Sequence, residues 1–396
     1  MKERYKLIIE PITPVHIGTG IELTPLDYKV TSKLGTLDFK KSMYFKFSSD
    51  KILRRIIETG DINKLTQFEN ASVQGNMKEL QNFFQQNLTS VEDLDYPCEV
   101  TDGFVKRCSE NKGKDPYDNA SKVFQMYRPE GQKTPVIPGS SLKGAIRTAI
   151  LNSILYHISD DRYEELKNEF NKIRDGRDKS KFESKLQRAL LGNYSDAKND
   201  PFRAIQIADC SFSAKNSQIV GELYNVSLNQ KNKKIESIGI QILSEAIKGY
   251  LLGSAEKAET TLLIDTDLLG ANQIKKKILV DELVKACKEF YQIQFDNEFK
   301  KFYEDSFDNS CNLINKLDEI VSDINNKNDN SFVIRVGRWS QVEFVTFGSD
   351  FRSPKTSPGK GGKPKGWGGT RTLFDYNGQY LPMGWCKCTI KPLDKM

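Results

Sequence analysis

Apolar residues recur at helical spacing in several long stretches of the chain. Residues 49–88 illustrate the pattern, with apolar positions at Ile52, Ile56, Ile57, Met77, Leu80, Phe83 and Phe84. Because positions three and four apart lie on one side of a helix, this spacing predicts amphipathic helices that bury one face. The same reasoning predicts helices over residues 49–88, from Ser140 or Ser141 to about 158, and over 162–191, 275–303 and 311–325.

Shorter apolar runs between these helices predict β-strands. They cover residues 5–10, 204–212, 219–226, 238–252, 260–264, 332–336, 342–347 and 380–389. No run is the continuous Val/Ile block of a strand buried in a parallel sheet, so an antiparallel α+β fold is favoured. We expect the strands at 238–252 and 260–264 to pair around Gly253.

The length of 396 residues suits two α+β domains with helical insertions. We place the first at residues 1–230, with insertions at about 50–95 and 160–200, and the second at residues 231–396. No apolar run approaches the length of a transmembrane helix, and the first ten residues lack the apolar core of a signal peptide. We therefore expect a cytoplasmic protein with no membrane partner.

The excess positive charge is concentrated in one segment. The chain carries 59 Lys and Arg against 53 Asp and Glu, a net charge of +6. Residues 351–374 hold six of the basic residues and no acid, so the rest of the chain is formally neutral. Such a local excess suits contact with a polyanion, and a solvated, disordered segment is the alternative.

The seven cysteines do not form a metal-binding pattern. Their number is odd, their spacing is scattered, no C-x-x-C pair exists, and the chain has only two histidines. A zinc site would need an unusual set of ligands. We expect reduced, mostly buried thiols, no metal and no other cofactor.

The segment PVIPGSSLKGAIR at residues 135–147 is the first candidate site. A short extended run and a glycine turn lead into a helix that begins near Ser140 and Ser141. The first N–H groups of a helix lack partners within it, and the helix dipole adds partial positive charge there. Lys143 and Arg147, four apart, share one face. The arrangement suits a phosphate, and an ordinary capped amphipathic helix is the alternative.

The segment VHIGTG at residues 15–20 is the second candidate site. Gly18 and Gly20 allow close approach of a backbone or ligand. The segment is not a dinucleotide fingerprint, because Leu23 stands where the third glycine is needed. A single histidine such as His16 is more often structural than catalytic. Asp209, which follows a strand, is expected to be a turn or cap residue.

The basic segment at residues 351–374 is the third candidate site. Its glycines and prolines predict an irregular loop, and Pro364 after Lys363 excludes a P-loop. Cations and an aromatic ring on such a loop suit single-stranded nucleic acid. Its candidate contacts are Lys360, Lys363, Lys365, Trp367 and Arg371, with Arg338 and Trp339 from the segment before it.

Three of these segments together resemble the RAMP superfamily of CRISPR proteins. PVHIGTG at residues 14–20 is similar to the family's first strand and the loop after it. Residues 135–147 are similar to its strand–glycine–helix signature, and residues 369–374 with 380–385 to its C-terminal glycine-rich region. The resemblance implies two RRM-like (ferredoxin-like) domains with antiparallel sheets.

Within this family the combination is most similar to the fifth subunit of the type III-A (Csm) effector complex. The motifs that carry this likeness are VHIGTG at 15–20, ADCS at 208–211, VGRW at 336–339 and LPMGW at 381–385. The likeness implies a single copy that caps the filament at the 3′ end of the CRISPR (guide) RNA. It implies contacts with the repeated backbone subunit and the small helical subunit. It also implies a part in crRNA 3′-end maturation and antiviral defence, with host 3′–5′ exonucleases as further partners.

We therefore predict a guide-RNA-binding subunit that is not an enzyme. Its predicted RNA contacts are His16, Gly18, Gly20, Ser140, Ser141, Lys143, Arg147, Arg338, Trp339, Lys360, Lys363, Lys365, Trp367 and Arg371. One alternative is a metal-independent RAMP endoribonuclease that uses His16 for acid–base catalysis, with lysines stabilising the phosphorane. Another is a structural cap whose basic segment binds a protein.

Overall fold

A computed structural model describes residues 2–192, 194–213, 217–228, 235–253, 255–270, 274–304, 312–351 and 369–393. The strands in these ranges are β1 (Lys2–Pro11), β2 (Gly18–Leu23), β3 (Tyr28–Leu34), β4 (Leu37–Phe47), β5 (Leu94–Val100), β6 (Val123–Met126), β7 (Val136–Ile137), β8 (Ile205–Ile207), β9 (Cys210–Ser211), β10 (Gln218–Leu228), β11 (Ile235–Ile247), β12 (Ala258–Asp265), β13 (Ser331–Arg335), β14 (Thr370–Tyr376), β15 (Gln379–Pro382) and β16 (Trp385–Pro392). The helices are α1 (Ser49–Glu58), α2 (Ile62–Val73), α3 (Met77–Asn87), α4 (Asp102–Glu110), α5 (Gly139–Tyr156), α6 (Asp160–Lys172), α7 (Gly176–Leu190), α8 (Thr266–Gly270), α9 (Val280–Phe302), α10 (Asn312–Asn326) and α11 (Val342–Val345).

The first large sheet has β1 at its centre. In the described part of the chain it has five strands in the order β13-β16-β1-β12-β8, and each neighbouring pair is antiparallel. Leu7 and Ile9, two apart on β1, are both buried. They belong to one apolar core with Leu142 and Ile146 of α5 and Phe290 of α9. The sheet thus provides the platform on which α5 is fixed.

The second large sheet carries most of the remaining strands. Within the described residues it has nine strands, in the order β2-β6-β11-β10-β5-β4-β3, with β14 joined to β10 and β15 joined to β14. Most pairs are antiparallel, whereas β10–β5 and β11–β6 are parallel. Phe45 of β4, Ile52 of α1 and Phe83 of α3 share a separate apolar cluster. The helices α1–α3 are therefore an insertion packed on the outer end of this sheet.

The predicted α+β class is confirmed, and the two mainly antiparallel sheets are consistent with two ferredoxin-like domains. Two local predictions are wrong. Residues 342–347 contain the short helix α11, not a strand. The strands around Gly253 do not pair with each other, because β11 pairs with β10 and β6 whereas β12 pairs with β1 and β8.

The chain passes from one large sheet to the other between β11 and β12, and two glycines fit its path there. A Cβ on Gly249 would lie 2.4 Å from the carbonyl oxygen of Ile12, and Gly253 has a φ of +115°. Both large sheets contain strands from before and after residue 230, since β1 pairs with β12 and β16, and β10 pairs with β11. The division into two domains at residue 230 stays a prediction.

Candidate functional site

His16 is buried beneath the protein surface at the start of β2. Its Nδ1 atom lies 2.7 Å from the carbonyl oxygen of Glu245 on β11 and 2.9 Å from the hydroxyl of Ser244. Because the carbonyl can only accept, Nδ1 carries the proton and donates it to Glu245. In the described part of the chain no hydrogen-bond partner is found for Nε2.

His16 is neutral at physiological pH. Burial lowers its pKa to about 4, although the hydrogen bond to Glu245 opposes the shift. The positive charges of Arg338 and Arg128 lower the pKa further. Nε2 faces Gly18, since a Cβ at that position would lie only 3.2 Å from it. The imidazole is a packed structural group that holds the ends of two strands together.

The turn at Gly337 lies directly on the backbone of His16. The N–H of Arg338 donates to the carbonyl oxygen of His16 at 2.9 Å. Gly337 has a φ of +100°, and a Cβ there would lie 2.4 Å from the same oxygen. Only glycine fits both the left-handed backbone and this close approach. The turn therefore fixes where the side chain of Arg338 projects.

Arg338 is an exposed cation stacked on aromatic rings. Its guanidinium carbon lies 4.1 Å from the ring centroid of Phe124 on β6 and 5.5 Å from that of Trp339. The Trp339 ring lies 4.7 Å from the imidazole of His16 and meets Phe124 edge-on at 6.2 Å. Cation–π contacts hold the guanidinium in place while its N–H groups remain available to an anion.

A cleft of about 370 Å³ opens beside this arginine. One wall is α5, which contributes Ser141, Gly144 and Thr148 at spacings of three and four residues. Gly18 and Arg338 also line the cleft, together with apolar side chains such as those of Ile17, Phe344 and Val345. The two glycines leave room for a chain to pass, the hydroxyls can donate or accept hydrogen bonds, and the guanidinium attracts an anion. This combination suits a sugar–phosphate backbone.

The amino-acid sequence of the chain matches a known protein family. The sequence profile of the RAMP superfamily matches residues 8–364. The chain belongs to the RAMP superfamily. Among curated proteins, none matches it significantly. Of the segments that carry the sequence resemblance, residues 14–20 and 135–147 lie inside the matched region. Residues 369–374 and 380–385 lie beyond it.

Two solved structures share the fold of this RAMP protein. A chain of the cryo-EM structure of a Csm–crRNA–target RNA ternary complex in a type III-A CRISPR–Cas system is 20% identical, with a TM-score of 0.64. The match covers 99% of this chain and 100% of that one. The crystal structure of Csm5 from T. onnurineus is 19% identical, with a TM-score of 0.53 and coverage of 96% of this chain and 99% of that one.

Lys143 and Arg147 do not line the cleft of the RAMP protein. They share one face of α5, as expected, but it is nearly opposite the face of Ser141 and Thr148. Arg147 pairs with Asp200 at 2.9 Å and donates to the hydroxyl of Tyr194. Burial lowers the pKa of Lys143, with Asp200 opposing the shift. Both expected phosphate-binding cations are thus half-buried, and Arg147 is already paired with an acid.

The N-terminus of α5 also differs from the expected anion site. The helix begins at Gly139, and the backbone N–H of Gly139 donates to the carboxylate of Asp209 at 2.8 Å. Asp209 is therefore a cap residue, as predicted. Ser140 is exposed, whereas Ser141 is half-buried and reaches the cleft. The start of this helix already has a negative partner from its own chain.

Arg371 lies inside the protein, although it was expected on an exposed loop. Residues 370–374 form part of β14 and not of a loop, and the alternation of the strand points Arg371 inward. Its Nε lies 2.5 Å from Glu298 of α9, and Nη2 lies 3.2 Å from Glu343 of α11. Arg335 of β13 pairs with the same Glu298 at 2.7 Å. These residues form a buried charge network that joins β13, β14, α9 and α11.

The remaining predicted contacts are placed as follows. Gly20 is exposed on β2 with a φ of +85°. Lys360, Lys363, Lys365 and Trp367 lie outside the described residues. Gly18, Ser141 and Arg338 thus line one cleft, and Trp339 packs between Arg338 and the buried ring of His16. Contact of these residues with RNA stays a prediction.

The sequence analysis missed Phe124, Gly144 and Thr148. Phe124 lies on the four-residue strand β6, which is too short to show a pattern. Gly144 and Thr148 could have been found from their spacing after Ser141.

A buried hydrogen-bond network surrounds Glu245 of β11. Its carboxylate accepts from Arg128 at 2.8 Å, from the hydroxyl of Tyr96 at 2.9 Å and from the N–H of Met126 at 3.0 Å. This network positions β6 and the backbone that holds His16.

Neither a membrane-spanning helix nor a metal site is found in the described ranges. No helix in them is long and apolar enough to cross a membrane. No group of three or more His, Cys, Asp or Glu side chains in the same ranges is arranged to hold a metal ion.

Proposed function

We propose that this RAMP protein is a guide-RNA-binding subunit of a type III-A CRISPR effector complex. The observation that carries the proposal is the match of 99% of the chain to all of one chain in a Csm–crRNA–target RNA complex. The likeness to Csm5 over nearly the whole of both chains supports the same assignment.

The chemistry of the cleft supports an RNA backbone as the ligand. A guide RNA differs in base sequence from one complex to the next, so a subunit at its spacer end must bind groups that are the same in every guide. Phosphates and 2′-hydroxyls meet this condition, and a fixed guanidinium beside helix hydroxyls suits them. Trp339 adds an aromatic ring for stacking on a base of any kind.

Within the complex we propose one copy at the 3′ end of the crRNA, next to the repeated backbone subunit and the small helical subunit. There it would limit how far the RNA is trimmed and so support 3′-end maturation by host 3′–5′ exonucleases. We expect this assembly in the cytoplasm and a role in antiviral defence.

Replacing Arg338 with alanine is expected to weaken binding of single-stranded RNA by roughly tenfold, because one charge-assisted phosphate contact and a stacking surface are lost. Fluorescence anisotropy with labelled RNA measures the change. In the reconstituted complex, nuclease mapping should show that the variant no longer protects the crRNA 3′ end. Arg54→Ala removes an exposed arginine from α1 and is the matched control. Equal affinities for the two variants would contradict the cleft as the RNA site.

We further propose that the protein binds RNA without cutting it. General acid–base catalysis needs a group that can exchange protons near neutral pH. His16 is buried, donates through Nδ1 to Glu245, and has its pKa lowered to about 4. These properties favour a structural role over the ribonuclease alternative.

Purified protein incubated with labelled guide precursor in EDTA is therefore expected to leave the RNA intact. Gel electrophoresis over several hours measures the result, with a metal-independent ribonuclease as positive control. Cleavage that disappears in His16→Asn, a variant that retains a donor near Nδ1, would establish the ribonuclease instead.

A further inference from the structure

The outer face of α7 carries a continuous row of cations. Arg177, Lys181, Lys185 and Arg188 are all exposed. Their spacings of four, four and three residues place them on one side of the helix. The row extends over 11 residue steps, or about 16 Å at 1.5 Å per residue. We call these four residues the basic row.

The opposite face of α7 anchors the helix to the protein. Leu186 is buried in the main apolar core, and Phe182 packs against Phe170 of α6 with ring centroids 5.8 Å apart. The Nζ atom of Lys179 lies 4.8 Å from the Phe170 ring. Because the apolar face is fixed against the core, the basic row is held toward solvent.

The positive charge of this region exceeds what its own acids neutralise. Residues 172–188 contain seven Lys and Arg against three Asp and Glu. Asp178 borders the basic row and pairs with Lys181 at 2.9 Å, with both side chains more than half exposed. Asp175 accepts from the N–H groups of Arg177 and Asp178 as the N-cap of the helix. The positive excess is confined to this stretch, because residues 160–200 as a whole hold ten Lys and Arg against ten Asp and Glu. It therefore acts close to the outer face of α7.

The composition of this face distinguishes between two kinds of anionic partner. Stable protein interfaces have an apolar or aromatic centre. Between the cations of the basic row the exposed positions are Asp178, Ser180 and Ser184, with Ala189 at the end, so none of them is a large apolar or aromatic residue. Nucleic-acid interfaces are instead polar and strongly positive, and phosphates need no apolar anchor. A row of cations about 6 Å apart along a helix matches a polymer that repeats its charge.

We propose that the basic row of α7 binds the phosphate backbone of RNA without regard to sequence, as a second contact distinct from the Arg338 cleft. This inference rests on the proposed function for the identity of the polyanion. It gives the helical insertion at residues 160–200 a role beyond packing. RNA would contact both the cleft and the insertion, so the bound segment is longer than the cleft alone can hold.

The test neutralises the four cations together in R177Q/K181Q/K185Q/R188Q. Affinity for a labelled single-stranded RNA of mixed sequence is measured by anisotropy over a range of salt concentrations. Each phosphate contact contributes roughly 0.7 to the slope of log affinity against log salt. If each of the four cations contacts one phosphate, we expect the slope to fall by about 2.8 and the affinity at low salt to fall at least tenfold.

The matched control is K78Q/K106Q/K112Q/K114Q, which removes four exposed lysines from the region of α3 and α4. It should keep the wild-type slope, as should the charge-retaining variant R177K/R188K. Equal melting temperatures for all variants show that folding is intact. If the wild type binds RNA and the two quadruple variants have the same slope, the basic row does not contact RNA. Unchanged RNA affinity combined with loss of the other Csm subunits on co-purification would identify an acidic protein surface instead. If the wild type itself fails to bind RNA, the proposed function fails with this inference.

Discussion

Replacing Glu298 with alanine should lower the free energy of unfolding by about 3–5 kcal/mol, the typical cost of removing one partner from a buried ion pair. Glu298 is 2% exposed and holds two guanidinium groups, those of Arg335 at 2.7 Å and Arg371 at 2.5 Å. Without the carboxylate both positive charges remain buried. Arg371 keeps Glu343 and the ring of Phe302, but Arg335 loses its one carboxylate partner among the described ion pairs.

Urea denaturation followed by circular dichroism measures this change. Glu259→Ala is the control, because Glu259 pairs with Lys6 at 2.8 Å but is 54% exposed. An exposed pair of this kind contributes about 0–1 kcal/mol. A loss for Glu298→Ala no larger than that of the control would show that the buried network does not hold the four elements together.

Gly139→Ala should have the second large effect, a loss of about 2–3 kcal/mol or more, as expected for overpacking against rigid neighbours. A Cβ on Gly139 would lie 2.0 Å from the carbonyl oxygen of Ile207 and 2.9 Å from the carbonyl carbon of Ala208. Both are backbone atoms, so no side-chain rotation relieves the contact. The start of α5 must move away from β8, and the hydrogen bond from Gly139 to Asp209 is stretched or lost.

Gly144→Ala, one turn further along α5, is the matched control. A Cβ there meets no heavy atom within 4 Å, and the position is exposed. Alanine in a helix interior is expected to add about 0.5–1 kcal/mol relative to glycine. Thermal or urea unfolding measures the change in the free energy of unfolding for each variant. A decrease for Gly139→Ala and an increase for Gly144→Ala would support the docking of α5 against β8. Equal small effects would mean that the N-terminus of α5 can shift without cost.

Long periodic segments were predictable from the sequence, whereas short ones were not. The helices α5, α9 and α10 follow from spacing alone, because each shows several turns of the apolar pattern. Residues 342–347 were mistaken for a strand because Val342 and Phe344, two apart, also fit the alternation of a strand. A four-residue helix is too short to show its own period. Tertiary packing decides between helix and strand here, since Phe344 is buried beside Trp385.

The kinds of residue in the candidate site could be predicted from the sequence, but not which of them lie together in space. His16, Ser141 and Arg338 are far apart in the chain, and nothing in their spacing shows that they meet. The shared face of Lys143 and Arg147 was predictable, but the side of α5 that faces the cleft depends on tertiary packing. Arg371 was assigned to the basic segment by composition, although the strand alternation of TRTLF would have placed it inside.

The pairing of β1 has a consequence for how the protein folds during synthesis. Leu7 is opposite Thr260 on one side and Ile390 on the other, so the central strand of its sheet is made long before either neighbour. Contacts between such distant residues slow folding, because the entropy of closing a large loop is lost first. Until residues 385–392 leave the ribosome, β1 has an unpaired edge that can join other chains. A chaperone that covers this edge would therefore protect the growing chain until its last strand is synthesised.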